Sequence, residues 1–153
     1  MVSTTGTFTR MDESTAEQWA VIGKETAKNQ GRVADRILML LESLGDITDG
    51  FSCDQLTHCL QTATLAERAG ADNEMIVASL CHDIGKAISV PNHPMIAAEI
   101  LKPYVRDESW FALCEQFTDD WDQVAFDPHG PTETLEHFEP LVREVFAKPR
   151  TIV

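Results

Sequence analysis

Basic residues are scarce in this chain. Twelve Lys and Arg stand against 25 Asp and Glu, which leaves a formal charge of −13 at pH 7. A field of that sign repels polyphosphate backbones and anionic lipid, so neither nucleic acid nor a membrane surface is expected as a partner. Long apolar runs are missing as well: none approaches the roughly 20 residues of a membrane helix, and residues 1–10 lack the apolar stretch of a secretory leader. The expected location is therefore the cytoplasm. Cys53, Cys59, Cys81 and Cys114 form no C-x-x-C pair, which argues against a disulfide framework or a cysteine zinc site and for small buried hydrophobes. No strand-like alternation persists and no repeat of 20–50 residues occurs, which removes sheet folds and solenoids. What remains is a chain of 153 residues, 43% hydrophobic and 24% charged. That is the composition of one globular domain, expected over 12–153 behind a loose Ser/Thr/Gly-rich terminus at 1–11.

Helical spacing recurs along the chain. Ala16, Trp19, Ala20 and Gly23 predict a helix from residue 12 or 14 to 29. Val33, Ile37, Leu40, Leu41 and Leu44 predict one over 33–44, ended by Gly45. Further helices are expected from Cys53 to Gly70, from Asp72 or Asn73 through Ala87, over 94–101 and over 110–117. A last one is expected from Thr132 or Thr134 through Val145, broken or kinked at Pro140. The fold class is all-α, a bundle of about six to seven helices.

The sharpest local feature is His82-Asp83 within the apolar run 75–88. A buried carboxylate without a partner costs several kcal/mol or becomes neutral, so Asp83 demands a cation, hydrogen-bond donors or a metal. On helical spacing Ser79, His82, Asp83 and Lys86 share one sector. The plainer alternative is a carboxylate paired with Lys86 or Arg68 beside a hydrogen-bonded core histidine. His58 on the preceding helix, His93 opening the following one and Asp122 late in the chain make a metal the more economical answer.

At these residues the sequence resembles the HD-domain superfamily of metal-dependent enzymes, whose pattern is a His, then His-Asp two helices later, then a late Asp. The stretches Gln55-Leu-Thr-His58-Cys-Leu-Gln61, Ala78-Ser-Leu-Cys-His-Asp-Ile-Gly-Lys86 and Asn92-His-Pro-Met-Ile-Ala-Ala-Glu are similar to the diiron oxygenase branch, whose members cleave a hydroxylated aminoethylphosphonate or, more distantly, myo-inositol. The resemblance implies that His58, His82, Asp83 and Asp122 bind one metal, that Asp83 bridges to a second held also by His93, and that Lys86 lies near the substrate. Imidazole and carboxylate ligands suit Fe best among the expected divalent metals, with Mn or Zn as alternatives.

Two departures qualify the resemblance. No His occurs from Pro94 to Pro128, where the relatives have another metal ligand, so the chain reads as shortened, with one tight metal and a partial second site. Upstream, Thr48-Asp-Gly-Phe-Ser-Cys-Asp54 stands where phosphonate oxygenases carry a Tyr and a Glu. His129 is a candidate substitute ligand, Asp127 rivals Asp122 as the late ligand, and His137 beside Glu136 and Glu139 reads as a surface ion pair. Three functional readings follow. The first is an iron-dependent oxygenase acting on a small polar or anionic molecule, with Asp83 and Lys86 in the catalytic role. The second is a phosphohydrolase using metal-activated water. The third is an impaired, shortened relative whose uncovered apolar surface a homodimer could bury.

Overall fold

The computed structural model of the protein describes residues 4–107 and 118–150, and every regular element among them is helical. The all-α expectation holds, and no described helix is long and apolar enough to cross a membrane. The helix expected over 110–117, and Cys114 with it, lie outside the described residues. The chain divides into two compact units, Met1–Val33 and Ala34–Val153.

In the first unit a short 3-10 turn, Met11–Glu13, precedes α1 (Ala16–Gln30). Thr15 starts α1 reciprocally: its hydroxyl accepts from the Gln18 N–H, and the Gln18 side chain accepts from the Thr15 N–H. Two of the donors that every helix start leaves without intrahelical partners are thereby satisfied. Gln18 also donates to Thr7 Oγ1 at 3.0 Å, and Phe8 stacks on Trp19.

The second unit holds the core. Helix α2 (Val33–Ser43) contributes Ala34, Ile37 and Leu41, then tightens into the 3-10 turn Leu44–Asp46, which buries Leu44. Next comes a hairpin-like reversal in which the Phe51 N–H donates to the Thr48 carbonyl at 2.9 Å. Its two central residues, Asp49 and Gly50, both have positive φ (49° and 82°), the backbone that an Asp-Gly pair adopts at least cost. Helix α3 (Gln55–Arg68) begins where the Asp54 carboxylate accepts from the Thr57 N–H at 2.8 Å. It packs along α4 (Asn73–Cys81), which Asp72 caps in the same way through the Met75 N–H. Helix α5 (His93–Leu101) carries Pro94 in its first turn, where no N–H is needed. Helix α6 (Leu135–Phe146) packs on α4 and buries Phe138, Val142, Val145 and Phe146. Cys53, Cys59 and Cys81 are buried and unpaired, as their spacing predicts. Burial pushes the Cys81 thiol far up, which keeps it protonated.

Two local expectations are corrected. The helix expected to run to Ala87 stops at Cys81; His82 and Asp83 occupy the turn that follows, and Ile84–Ala87 is a separate 3-10 turn. Asp83, at φ −101° and ψ 7°, has left the helical region, and its carbonyl accepts from the Lys86 N–H at 2.9 Å. The second correction concerns Pro140: of the break or kink expected there, the break does not occur, and α6 runs through the proline. The carbonyl deprived of its partner belongs to Glu136, an exposed residue, so water can satisfy it.

Candidate metal centre

Four segments of the second unit bring the predicted site residues to one place. His58 comes from α3, His82 and Asp83 from the turn after α4, His93 from the start of α5, and Asp122 from the end of a π-helical turn, Thr118–Asp122, that packs on α3. His58, His82 and Asp122 each offer a ligand atom within 4.8 Å of the others. His58 and Asp83 are buried, while His82, His93 and Asp122 are partly exposed.

The histidine tautomers follow from the backbone around them. His58 Nδ1 donates to the Ala125 carbonyl at 2.9 Å, His82 Nδ1 to the Ser79 carbonyl at 2.8 Å, and His93 Nδ1 to the Val90 carbonyl at 2.7 Å. A carbonyl only accepts, so each Nδ1 carries a proton and each Nε2 is the ring atom left to face the cluster. All three Nε2 atoms point at carboxylates or at one another. His58 Nε2 lies 3.0 Å from His82 Nε2 and 2.9 Å from Asp122 Oδ1. His82 Nε2 lies 3.5 Å from both Asp122 Oδ1 and Asp83 Oδ2, and His58 Nε2 lies 3.7 Å from Asp83 Oδ2. Electron pairs crowded in this way repel unless a proton or a cation sits among them.

The separations fit a metal. Ligand atoms bonded at roughly 2.1 Å to one ion lie about 3.0 Å apart across an octahedral edge and about 3.4 Å across a tetrahedral one. The distances among His58, His82, Asp122 and Asp83 fall around those values. His93 stands apart from this group and meets only the far oxygen of Asp83, its Nε2 lying 3.1 Å from Oδ1. The two oxygens of Asp83 therefore face two different sets of nitrogen.

Electrostatics reinforce the need for positive charge. Burial alone opposes a charged His82, yet Cys59, Asp122 and Asp83 around it outweigh burial and raise its pKa well above the ordinary value. Burial likewise opposes an ionised Asp122, but hydrogen bonds from His58 and His82 hold its carboxyl well below the usual range. The carboxylate is thus ionised and the imidazoles are drawn towards it.

Lys86 is not the solvated helix-end lysine that spacing alone allows. Its side chain is only 10% exposed; its ammonium forms an ion pair with Asp83 Oδ2 at 2.9 Å and donates to Gln55 Oε1 at 2.7 Å. The Phe51 ring faces it, with the ring centroid 5.4 Å from Nζ.

Other candidates lie elsewhere. Asp127 uses its carboxylate to accept from the His129 N–H, and His129 itself is exposed. His137 pairs with Glu67 at 2.9 Å on the surface. Asp122, rather than Asp127, is the late carboxylate that reaches the histidines.

Sequence reasoning missed the residues that hold these groups in place. Phe126 stacks flat on His58, the rings 4.1 Å apart and 8° from parallel, and Phe51 stacks on Phe126 in turn. Gln61 donates to the Asp127 carbonyl and Ser52 to that of Phe126 at 2.5 Å, which ties the loop carrying Ala125 to the segment around α3. Gln55 holds Lys86. Only the aromatic residues and the two glutamines at otherwise apolar positions could have signalled these roles.

Among curated proteins none matches the sequence. Residues 56–145, more than half of the chain and the span that contains all five clustered side chains, match the model described as the HD domain, and the protein belongs to the HD domain family.

Proposed function

We propose that the protein is a metal-dependent enzyme that hydrolyses a phosphate ester of a small molecule. The HD domain is a phosphohydrolase-like, metal-dependent fold, and this chain retains a His-His-Asp group able to hold a divalent ion. The observation that carries the reading is the convergence of imidazole Nε2 atoms on two carboxylates, an arrangement that a cation stabilises and that nothing apolar explains. His58, His82, Asp122 and Asp83 are the residues that would hold the ion. When bound, it supplies a polarised phosphate oxygen and a water of lowered pKa. Asp83 contributes its second oxygen towards His93 and fixes Lys86, whose ammonium stands ready to neutralise charge on the substrate.

A test is direct. The purified full chain is loaded in turn with Mn, Zn and Fe(II), its metal content measured, and a panel of phosphomonoesters assayed. Metal-dependent release of phosphate is the expected result; a chain that binds metal and releases none from any ester removes the hydrolase reading.

One observation favours a second reading, the iron-dependent oxygenase. Asp83 Oδ1 lies 3.1 Å from His93 Nε2 while Oδ2 faces the other histidines, the disposition of a carboxylate bridging two ions. Two irons per chain and substrate-dependent oxygen uptake would support it over hydrolysis. Fe is then the resident metal, with the site at Asp83 and His93 only partly filled because it has two protein ligands among the described residues.

A further inference from the structure

One carboxylate oxygen of Asp83 faces both an ammonium and the histidine pair. Lys86 Nζ lies 2.9 Å from Oδ2, and the same oxygen lies 3.5 Å from His82 Nε2 and 3.7 Å from His58 Nε2. The carboxylate carries a single charge, so what the ammonium draws from it is withheld from an ion among the imidazoles. An ion pair that served only to hold Asp83 in place would aid metal binding, whereas one that competes for its charge opposes it. The geometry favours competition, because the ammonium meets the oxygen turned to His58 and His82 and not Oδ1, which His93 meets at 3.1 Å.

An ion bonded to Oδ2 at roughly 2.1 Å stands no more than about 5 Å from Nζ. Both side chains are largely buried, so at that range a monocation repels a dication with little screening. The ammonium nevertheless has partners that remain when it yields Oδ2. Gln55 Oε1 accepts from it at 2.7 Å, and the Phe51 ring faces it. Gln55 is completely buried, and its Nε2 has no hydrogen-bond partner among the described residues. Lys86 only donates, so the carbonyl oxygen must face it, and the amide is held this way although its N–H2 goes unmet. A buried charge is tolerated when such a partner stays with it, which makes the move away from Asp83 possible.

We propose that Lys86 is a built-in competitor of the metal: its ammonium draws on the Asp83 oxygen that would hold the ion, lowers the affinity of the site and, with Gln55 as its remaining acceptor, keeps a bound ion exchangeable. Lys86 acts here through Asp83 and is in that respect a positioning residue. The proposal rests on the metal-binding half of the reading above and not on the reaction.

The experiment measures Zn and Mn dissociation constants of the full chain by competition with a chromogenic chelator, for the wild type, Lys86→Met and Lys86→Gln. Thermal unfolding is followed on the same samples with and without metal. Both variants remove the charge, and Lys86→Gln keeps a donor. The expected result is metal binding about tenfold or more tighter in both, as befits the removal of one like charge at this range, with a lower melting temperature in the metal-free variants and a larger rise on loading. A lysine that merely orders the site would give the opposite sign, so weaker binding in the variants overturns the proposal, as does affinity within about twofold of the wild type. Should Lys86→Met fail to fold, Lys86→Gln decides. Metal bound by the variants and not measurably by the wild type supports the competition. If no form binds metal, the metal-binding reading falls and the proposal with it; if the variants bind more tightly and no form hydrolyses a phosphomonoester, the hydrolase reading falls and the competition stands.

Discussion

Gly85 lies against the backbone of His93 so closely that a β-carbon on it would come within 2.7 Å of the His93 α-carbon. Only glycine permits that approach, and the approach is what brings His93 to Asp83. Gly85→Ala should push the start of α5 outward, cost about 1–3 kcal/mol as an overpacked contact, and separate His93 from Asp83. The expected outcome is a lowered melting temperature and loss of any metal held between those two residues, with the metal at His58 and His82 retained. His93→Ala should give the same metal count without the loss of stability. If Gly85→Ala keeps two metals per chain, the close approach does not position His93.

Asp122 and Asp127 compete for one role in the sequence and separate cleanly in the structure, because Asp122 meets both imidazoles while Asp127 serves the His129 N–H. Asp122→Asn should therefore weaken divalent metal binding on the order of a hundredfold, read by equilibrium dialysis. Asp127→Asn should leave it unchanged. The reverse pattern would transfer the ligand to Asp127.

Asp83 holds charge on both of its oxygens. Asp83→Ala should abolish metal binding with helicity intact by circular dichroism but with a lowered melting temperature, because Lys86 keeps only the neutral Gln55 carbonyl and loses the carboxylate that balances its buried charge. Asp83→Asn should retain the shape and bind metal weakly, since a neutral amide cannot stand between two cations as a carboxylate does. Unchanged stoichiometry in Asp83→Ala would remove the metal assignment.

Two sites of unequal ligand number should differ in grip. Among the described residues four side chains surround one position, and only Asp83 and His93 flank the other. Mild chelation is expected to leave one metal per chain and strip the second, by elemental analysis before and after treatment. Full retention of two metals would show that ligands from outside the described residues complete the second site.

Gln61 is 4% exposed and ties α3 to the loop whose Ala125 carbonyl fixes the His58 tautomer. Gln61→Ala should cost about 1–2 kcal/mol in denaturant unfolding and weaken metal about 10–100-fold, although Gln61 touches no ligand atom. Metal affinity equal to the wild type would mean that the stack of Phe126 on His58 suffices to hold the ring.

The helical nature of the chain was legible because apolar spacing, caps such as Asp72 and Thr134, and stops such as Gly70 act within a few residues of one another. Local physics also singled out His82 and Asp83, since a charged pair in an apolar run must find partners whatever the fold. The sequence alone could not say that the helix ends before that pair. The end depends on the Ser79 carbonyl accepting from His82, on Lys86 closing the turn and on α5 pressing against Gly85. Nor could it separate Asp122 from Asp127, or find Gln55, Gln61 and Phe126, because these roles are contacts between segments far apart in the chain, such as the 74 residues between Ser52 and Phe126. Composition and periodicity determined the helices and the charge that needed an answer. Tertiary packing decided which atoms give it, because hydrogen-bond direction and ligand geometry exist only once separate helices have met.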